Sequence, residues 1–186
     1  MLESLAQWNK FLRRKIYLIA CGGTALTLLD IKPSTKDVDF LVPKETEYLY
    51  LIKILQDLGY TNVSGYGWQR KGEIYTFDLF PGKRIHTTEL LLSPLEEGRN
   101  LPLKKFSHIY IGILNYYDLI SSKLFRGSSV DFEDCLMLVK ARRKEINLGR
   151  LQEHYKELAS YDISETKLLA NLDSFIRRVK KEIDND

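Results

Sequence analysis

An uncharged run of 14 residues, Ile16 to Leu29, follows directly on Arg13-Arg14-Lys15 and limits what this chain can become more than any other feature. Basic residues ahead of an apolar stretch have the layout of a secretory leader. The run is nevertheless shorter than the ~20 residues that cross a bilayer. Gly22-Gly23 interrupts it, no A-x-A pattern follows, and residues 2–13 ahead of it form an amphipathic stretch. So much apolar surface has to go inside a fold. Ile16 to Cys21 (I-Y-L-I-A-C) has strand length and no alternation, which predicts a strand covered on both faces. Gly22-Gly23-Thr24 then turns the chain, and Ala25 to Leu29 reads as a short helix.

The surrounding sequence supplies partners for such a strand. Leu2, Leu5, Trp8 and Leu12 stand at helical spacing. Asp37 to Val42 (D-V-D-F-L-V) reads as a second strand. Glu45 to Leu58 reads as a helix with Leu49, Ile52, Leu55 and Leu58 on its apolar face, stopped by Gly59. Trp68 to Phe80 predicts two strands hinged near Lys71-Gly72, and another strand is expected around His108 to Leu114. From Asn115 onward there is no proline and the apolar period becomes helical. Helices are expected near 116–126, 131–144, 148–160 and 164–183, with Asn115, Asp131 and Ser164 as N-caps. The expected fold class is therefore α/β (α+β): a small mixed sheet flanked by helices over residues 1–114, then a C-terminal helical bundle over 115–186.

The 186 residues, 44% hydrophobic and 28% charged, suffice for one good core without metal or disulfide staples. Cys21 and Cys135 sit among apolar residues and read as buried small hydrophobes, which points to a reducing, cytoplasmic setting with no membrane association. Residues 115–186 carry 13 basic and 13 acidic side chains, so the net charge of +3 belongs wholly to residues 1–114. That balance favours an anionic partner but is far from the signature of a dedicated nucleic-acid binder.

Most catalytic signatures are missing. There is no G-x-x-x-x-G-K-[ST] loop and no G-x-S-x-G elbow. Gly65-Tyr66-Gly67 lacks the third glycine of a dinucleotide fingerprint and reads as a turn. His86, His108 and His154 lack zinc-ligand spacing. Carboxylates remain. Asp37 and Asp39 share one face of a strand, and Asp78 lies between Phe77 and Leu79 on another. Two carboxylates ~4 Å apart repel by about 4 kcal/mol at an effective dielectric of 20. Such a group calls for a cation, and Mg2+ shared with substrate phosphates would answer it.

Strand, Gly22-Gly23, short helix, Asp37-Val38-Asp39 and a distant Asp78 between hydrophobics together resemble the DNA polymerase beta-like nucleotidyltransferase superfamily, with its h-G-[GS], D-h-[DE]-h and h-[DE]-h pattern. Thr35 ahead of the acid pair fits as well. Asp118-Leu119-Ile120-Ser121-Ser122-Lys123-Leu124, Arg126 and Asp131 to Asp134 are similar to the later helices of prokaryotic minimal and toxin-type nucleotidyltransferases. The resemblance implies transfer of a nucleoside monophosphate from an NTP to a hydroxyl of RNA, protein or a small molecule. It implies Asp37, Asp39 and Asp78 as catalytic ligands of Mg2+ (or Mn2+), and Gly22, Gly23, Thr24 and Lys123 as nucleotide-binding residues. Two alternatives stay open: a non-catalytic nucleotide-binding module on the same fold, and the toxin of a toxin–antitoxin pair. An antitoxin or a second copy of the chain would then be a further partner.

Overall fold

The computed structural model describes residues 1–183, and in it the chain divides into two compact units. The first comprises Met1–His86 and Leu92–Asn115; the second comprises Thr87–Leu91 and the residues from Tyr116 onward. The short segment 87–91, placed by sequence in the sheet half, goes with the helices.

In chain order the first unit holds α1 (Leu2–Phe11), β1 (Ile16–Ala20), α2 (Gly22–Leu28), β2 (Asp37–Val42), α3 (Glu45–Asp57), β3 (Tyr60–Ser64), β4 (Gly67–Arg70), β5 (Thr76–Pro81) and the two-residue β6 (Arg84–Ile85). After β7 (Thr88–Glu89), it is completed by β8 (Asn100–Lys105) and β9 (Ile109–Leu114). Seven strands form one mixed sheet in the order β3-β4-β5-β2-β1-β9-β8. β1 is an interior strand, antiparallel to β2 and parallel to β9. That position explains its sequence: Ile16, Leu18, Ile19, Ala20 and Cys21 are all fully buried, whichever face they take. The 14-residue run is thus spent on an interior strand and on α2, which packs on β2 and β9.

Helix α3 packs on β1, β2 and β5, but through Leu51 and Leu55. Leu49, expected on its apolar face, is 61% exposed. α1 buries Leu5 and Trp8, and Trp8 Nε1 donates to the Tyr60 hydroxyl at 3.0 Å. Tyr60 in turn donates to Glu73 Oε1 at 2.6 Å, and Arg70 donates to the same oxygen. Burial and that hydrogen bond push the Tyr60 phenol up to about 12. The chain ties α1 to the β3–β4 hairpin, whose turn is Gly65-Tyr66.

In the second unit, α4 (Tyr116–Arg126) runs through the interior, every residue from Asp118 to Phe125 being buried. α5 (Ser129–Ala141), α6 (Leu148–Ala159) and α7 (Glu165–Ile183) pack around it. Asp131 is not the N-cap of α5. Ser128 takes that place, its Oγ accepting from the Asp131 backbone N–H while its hydroxyl donates to the Asp131 carboxylate. Cys21 and Cys135 are both buried and form no disulfide with one another. Among the described residues no helix is long and apolar enough to cross a membrane.

Candidate active site

Parallel pairing of β2 with β5 sets the acids in register. Asp37 lies opposite Thr76, Asp39 opposite Asp78, and Leu41 opposite Phe80. Side chains alternate along a strand and cross-strand partners share a face. Asp37, Asp39 and Asp78 therefore stand on one face of the sheet, although 39 positions of sequence separate the last two. Asp37 is exposed, Asp78 is half-buried and Asp39 is only 9% exposed. Burial, and next to it the charge of Asp37, holds the Asp78 carboxyl above the usual carboxylate range.

Two glycines make room for these side chains. Gly22 follows directly on Cys21, just past the end of β1, with φ +55°, and a Cβ there would overlap the Asp39 carboxylate. Gly67 is the register partner of Asp78 on β4, and a Cβ there would come within 3.1 Å of Asp78 Oδ1 and 2.5 Å of Ser64 Oγ. Gly23 serves a different neighbour: its missing side chain leaves space for Thr35 Oγ1, which a Cβ would meet at 2.7 Å.

The same turn fixes the backbone that carries the acids. β1 ends at Ala20, opposite Phe40, and the Cys21 N–H donates to the Asp39 carbonyl. Beyond that point β2 has no strand on its β1 side, and side chains take over. Thr24 Oγ1 accepts from the Asp39 N–H at 2.8 Å and donates to the Asp37 carbonyl at 3.2 Å; Thr35 Oγ1 donates to that carbonyl at 3.0 Å. Sequence reasoning assigned Thr24 to the nucleotide; in the structure its hydroxyl clamps the acid strand, leaving only its backbone N–H to face a ligand. A left-handed residue followed by helical ones turns successive N–H groups toward one point, an arrangement that attracts anions. Gly22 followed by Gly23 and Thr24 has that form, and the first N–H groups of a helix lack intrahelical acceptors.

Lys123 lies in the second unit, on α4, and is 2% exposed. Its Nζ is 2.7 Å from Asp134 Oδ2 and 3.6 Å from Asp131 Oδ1, and Arg126 pairs with Asp131 as well. The run of acids and bases singled out in that stretch thus forms a buried ion network. Asp118 and His154 make a second pair nearby on α4 and α6, at 2.7 Å.

Among the described residues no three His, Cys, Asp or Glu side chains gather into a ready-made metal cage. An open strip of carboxylates suits one kind of ion. Mg2+ dehydrates reluctantly, keeps several waters, and is bound through one or two carboxylates plus substrate phosphates rather than by an all-protein cage. By that donor chemistry Asp37, Asp39 and Asp78 fit it, or Mn2+, and do not fit a structural zinc.

No family model matches the chain, and no curated protein matches it in sequence. Its fold does have counterparts. The solution structure of the antibiotic-resistance factor ANT(2'')-Ia, a nucleotidyltransferase, superposes with a TM-score of 0.57 at 12% identity, covering 86% of this chain and 90% of that one. JHP933 from Helicobacter pylori covers 98% of this chain and 94% of its own at 13% identity, but with a TM-score of 0.47, too loose to bear on function. The chain therefore shares the fold of ANT(2'')-Ia, a mixed sheet flanked by helices.

Proposed function

We propose that this protein is a nucleotidyltransferase, moving a nucleoside monophosphate from an NTP to a hydroxyl acceptor. The observation that carries the proposal is the register of β2 and β5, which sets Asp39 beside Asp78 with Asp37 on the same face, next to the Gly22 turn, in a fold of this type.

The backbone N–H groups of Gly22, Gly23 and Thr24 receive the triphosphate, aided by the positive end of α2. Thr24 and Thr35 hold the strand so that Asp37 and Asp39 flank the phosphates. Mg2+ or Mn2+ held by Asp37, Asp39 and Asp78 would neutralise the phosphate charge that grows as the bond breaks. The acceptor oxygen bonds to the α-phosphorus, the bond from that phosphorus to the bridging oxygen breaks, and pyrophosphate leaves. The hydroxyl proton passes to the Asp78 carboxylate, which β5 sets directly beside Asp39. Lys123 has no part in this account, because its ammonium is committed to Asp134 and Asp131.

The test is incubation with each NTP labelled at the α-phosphate, with Mg2+ and with RNA, protein and small-molecule acceptors in turn. Label on one acceptor with matching release of pyrophosphate is expected. Asp39→Asn abolishes both while melting in EDTA at or above the wild-type temperature, since it removes one of three like charges. NTP binding without pyrophosphate release from any acceptor would reduce the protein to a nucleotide-binding module. Absence of NTP binding would refute the proposal altogether.

A further inference from the structure

The face that carries the acids continues past Asp78 into a set of rings. Two residues along β5, Phe80 lies opposite Leu41 and is fully buried. The Tyr66 ring, from the turn of the β3–β4 hairpin, is centred 4.9 Å from it, and the His86 ring stands edge-on to it at 4.6 Å. Tyr66 is 37% exposed and His86 is half-buried, so two rings gripped around a buried third still face solvent.

Both rings are held in place. The Tyr66 carbonyl accepts from the Leu79 N–H at 3.0 Å, between Asp78 and Phe80. His86 has φ +51°, in the left-handed region that few residues other than glycine take. The exposed Arg84 donates from Nε to the His86 carbonyl, which fixes a guanidinium beside the rings. Gly67, opposite Asp78 and next to Tyr66, keeps the surface low between the rings and the carboxylate.

We propose that Tyr66 and His86 form the acceptor site, and that the acceptor is an unpaired RNA strand: its bases stack on the two rings, Arg84 meets its phosphates, and a ribose hydroxyl reaches Asp78. This rests on the nucleotidyl-transfer reading above. Unpaired RNA is recognised by splaying its bases onto aromatic side chains, with Arg or Lys tracking the backbone. Asp78 and Phe80 lie on β5, Arg84 and His86 follow on β6 and just after it, and Tyr66 joins them from the β3–β4 turn.

A short fluorescent single-stranded oligoribonucleotide, titrated with the whole protein and followed by anisotropy at several salt concentrations, tests this. Wild type is expected to bind, more weakly as salt rises. Tyr66→Ala and His86→Gly each lose at least about fivefold in affinity, the share of one stacked base, whereas Tyr66→Phe does not. Arg84→Gln lowers the salt slope by about 0.7, as for one lost phosphate contact on a single strand. Glycine adopts a positive φ without strain, so weaker binding by His86→Gly in a protein of unchanged melting temperature reports the missing ring. NTP affinity, measured separately by calorimetry, separates the two readings. Wild type that binds NTP but no RNA, or ring variants that bind RNA as wild type does, overturns the RNA acceptor and leaves nucleotidyl transfer standing. Label passing from NTP to protein in place of RNA overturns it too. Wild type that binds no NTP defeats the transferase reading itself, and the acceptor role with it.

Discussion

Gly22→Ala tests how the turn holds the acids, because two separate costs meet at one methyl group. Gly22 has φ +55°, and a left-handed backbone costs an L residue roughly 1–2 kcal/mol. The new Cβ would also lie 2.8 Å from Cγ and 3.2 Å from Cβ of Asp39, overlapping the carboxylate itself. Swinging that side chain out of its rotamer adds about 0.5–1.5 kcal/mol. A total near 2–3 kcal/mol lowers the melting temperature of a chain this size by roughly 4–12 °C. Gly23→Ala is the matched control. Its φ is outside the left-handed region and its methyl meets only the Thr35 side chain, Oγ1 at 2.7 Å and Cβ at 3.3 Å. Alanine also gains ~1 kcal/mol over glycine inside a helix, so the net change should stay within about 1 kcal/mol.

Thermal and urea melts of both variants, with Asp39→Ala and the Gly22→Ala/Asp39→Ala double variant, complete a cycle. Asp39→Ala removes the carboxylate that the methyl would strike, so the double variant should be more stable than the sum of the singles by about 1 kcal/mol, within the usual range for residues in contact. Equal melting of Gly22→Ala and Gly23→Ala, or a coupling of zero, would show that the turn does not set the Asp39 side chain, and the account of the acid strip would fail at its first step.

Three further outcomes follow from the same contacts. Burial and then Asp37 raise the Asp78 pKa in the folded state; the native form thus holds its proton more tightly than the unfolded one, and the stabilisation present in acid is lost as pH rises through the folded pKa. Asp78→Asn should accordingly melt higher than wild type at pH 7, with the gap closing as pH falls to the ordinary carboxylate range; a gap independent of pH would refute this. Asp134→Asn strips the closest partner from a lysine that is 2% exposed and should cost about 3–5 kcal/mol in urea melts, most of it recovered in Lys123→Met/Asp134→Asn; a loss under about 1 kcal/mol would show the pair is not what settles Lys123 in the interior. Thr24→Val leaves the Asp39 N–H without its acceptor and should cost about 1–3 kcal/mol, while Thr24→Ser keeps both stability and NTP affinity; equal melts for Val and Ser would remove the clamp.

The parts of this fold that could be read from sequence are those where local pattern and final burial agree. The unbroken I-Y-L-I-A-C run is the interior strand β1 with Cys21 directly after it. D-V-D-F-L-V is β2 with its expected bounds, and α4 spans the residues that its period indicated. β3 and β8 were not legible, because both are sheet edges. Thr61 to Ser64 and Pro102 to Lys105 are exposed, so neither shows an apolar signal, and Pro102 argues against a strand until its edge position is known. In α3 several apolar residues compete for one buried stripe, and only packing against β1, β2 and β5 decides for Leu51 over Leu49. The cap of α5 was legible in principle: Ser128-Ser129-Val130-Asp131 carries the S-x-x-D form of a capping box. Tyr66 and His86 were not, since it is Phe80, brought between them by tertiary folding, that gives either ring its place.

The acids were legible for a reason that also says what the strip is built to do. A strand stabilised for its own sake would put apolar side chains at 37, 39 and 78, where the same sheet face continues into the buried Leu41 and Phe80. It carries three carboxylates instead, and the fold bears a cost at each neighbour to keep them. Gly22 and Gly67 give up side chains beside Asp39 and Asp78. Thr24 and Thr35 spend their hydroxyls on the backbone of the same strand, and Asp78 sits beside a charge that raises its pKa. The missing side chains and the crowded carboxylates are small losses in stability, the two threonines hold the strand against them, and together they converge on one short length of β2 and its partner. Buried like charges relax when a cation arrives. The folded protein should therefore gain stability from Mg2+ only while the strip is whole: a rise in melting temperature with Mg2+ and NTP that is absent in Asp39→Asn. An equal rise in both would mean that the ion binds elsewhere.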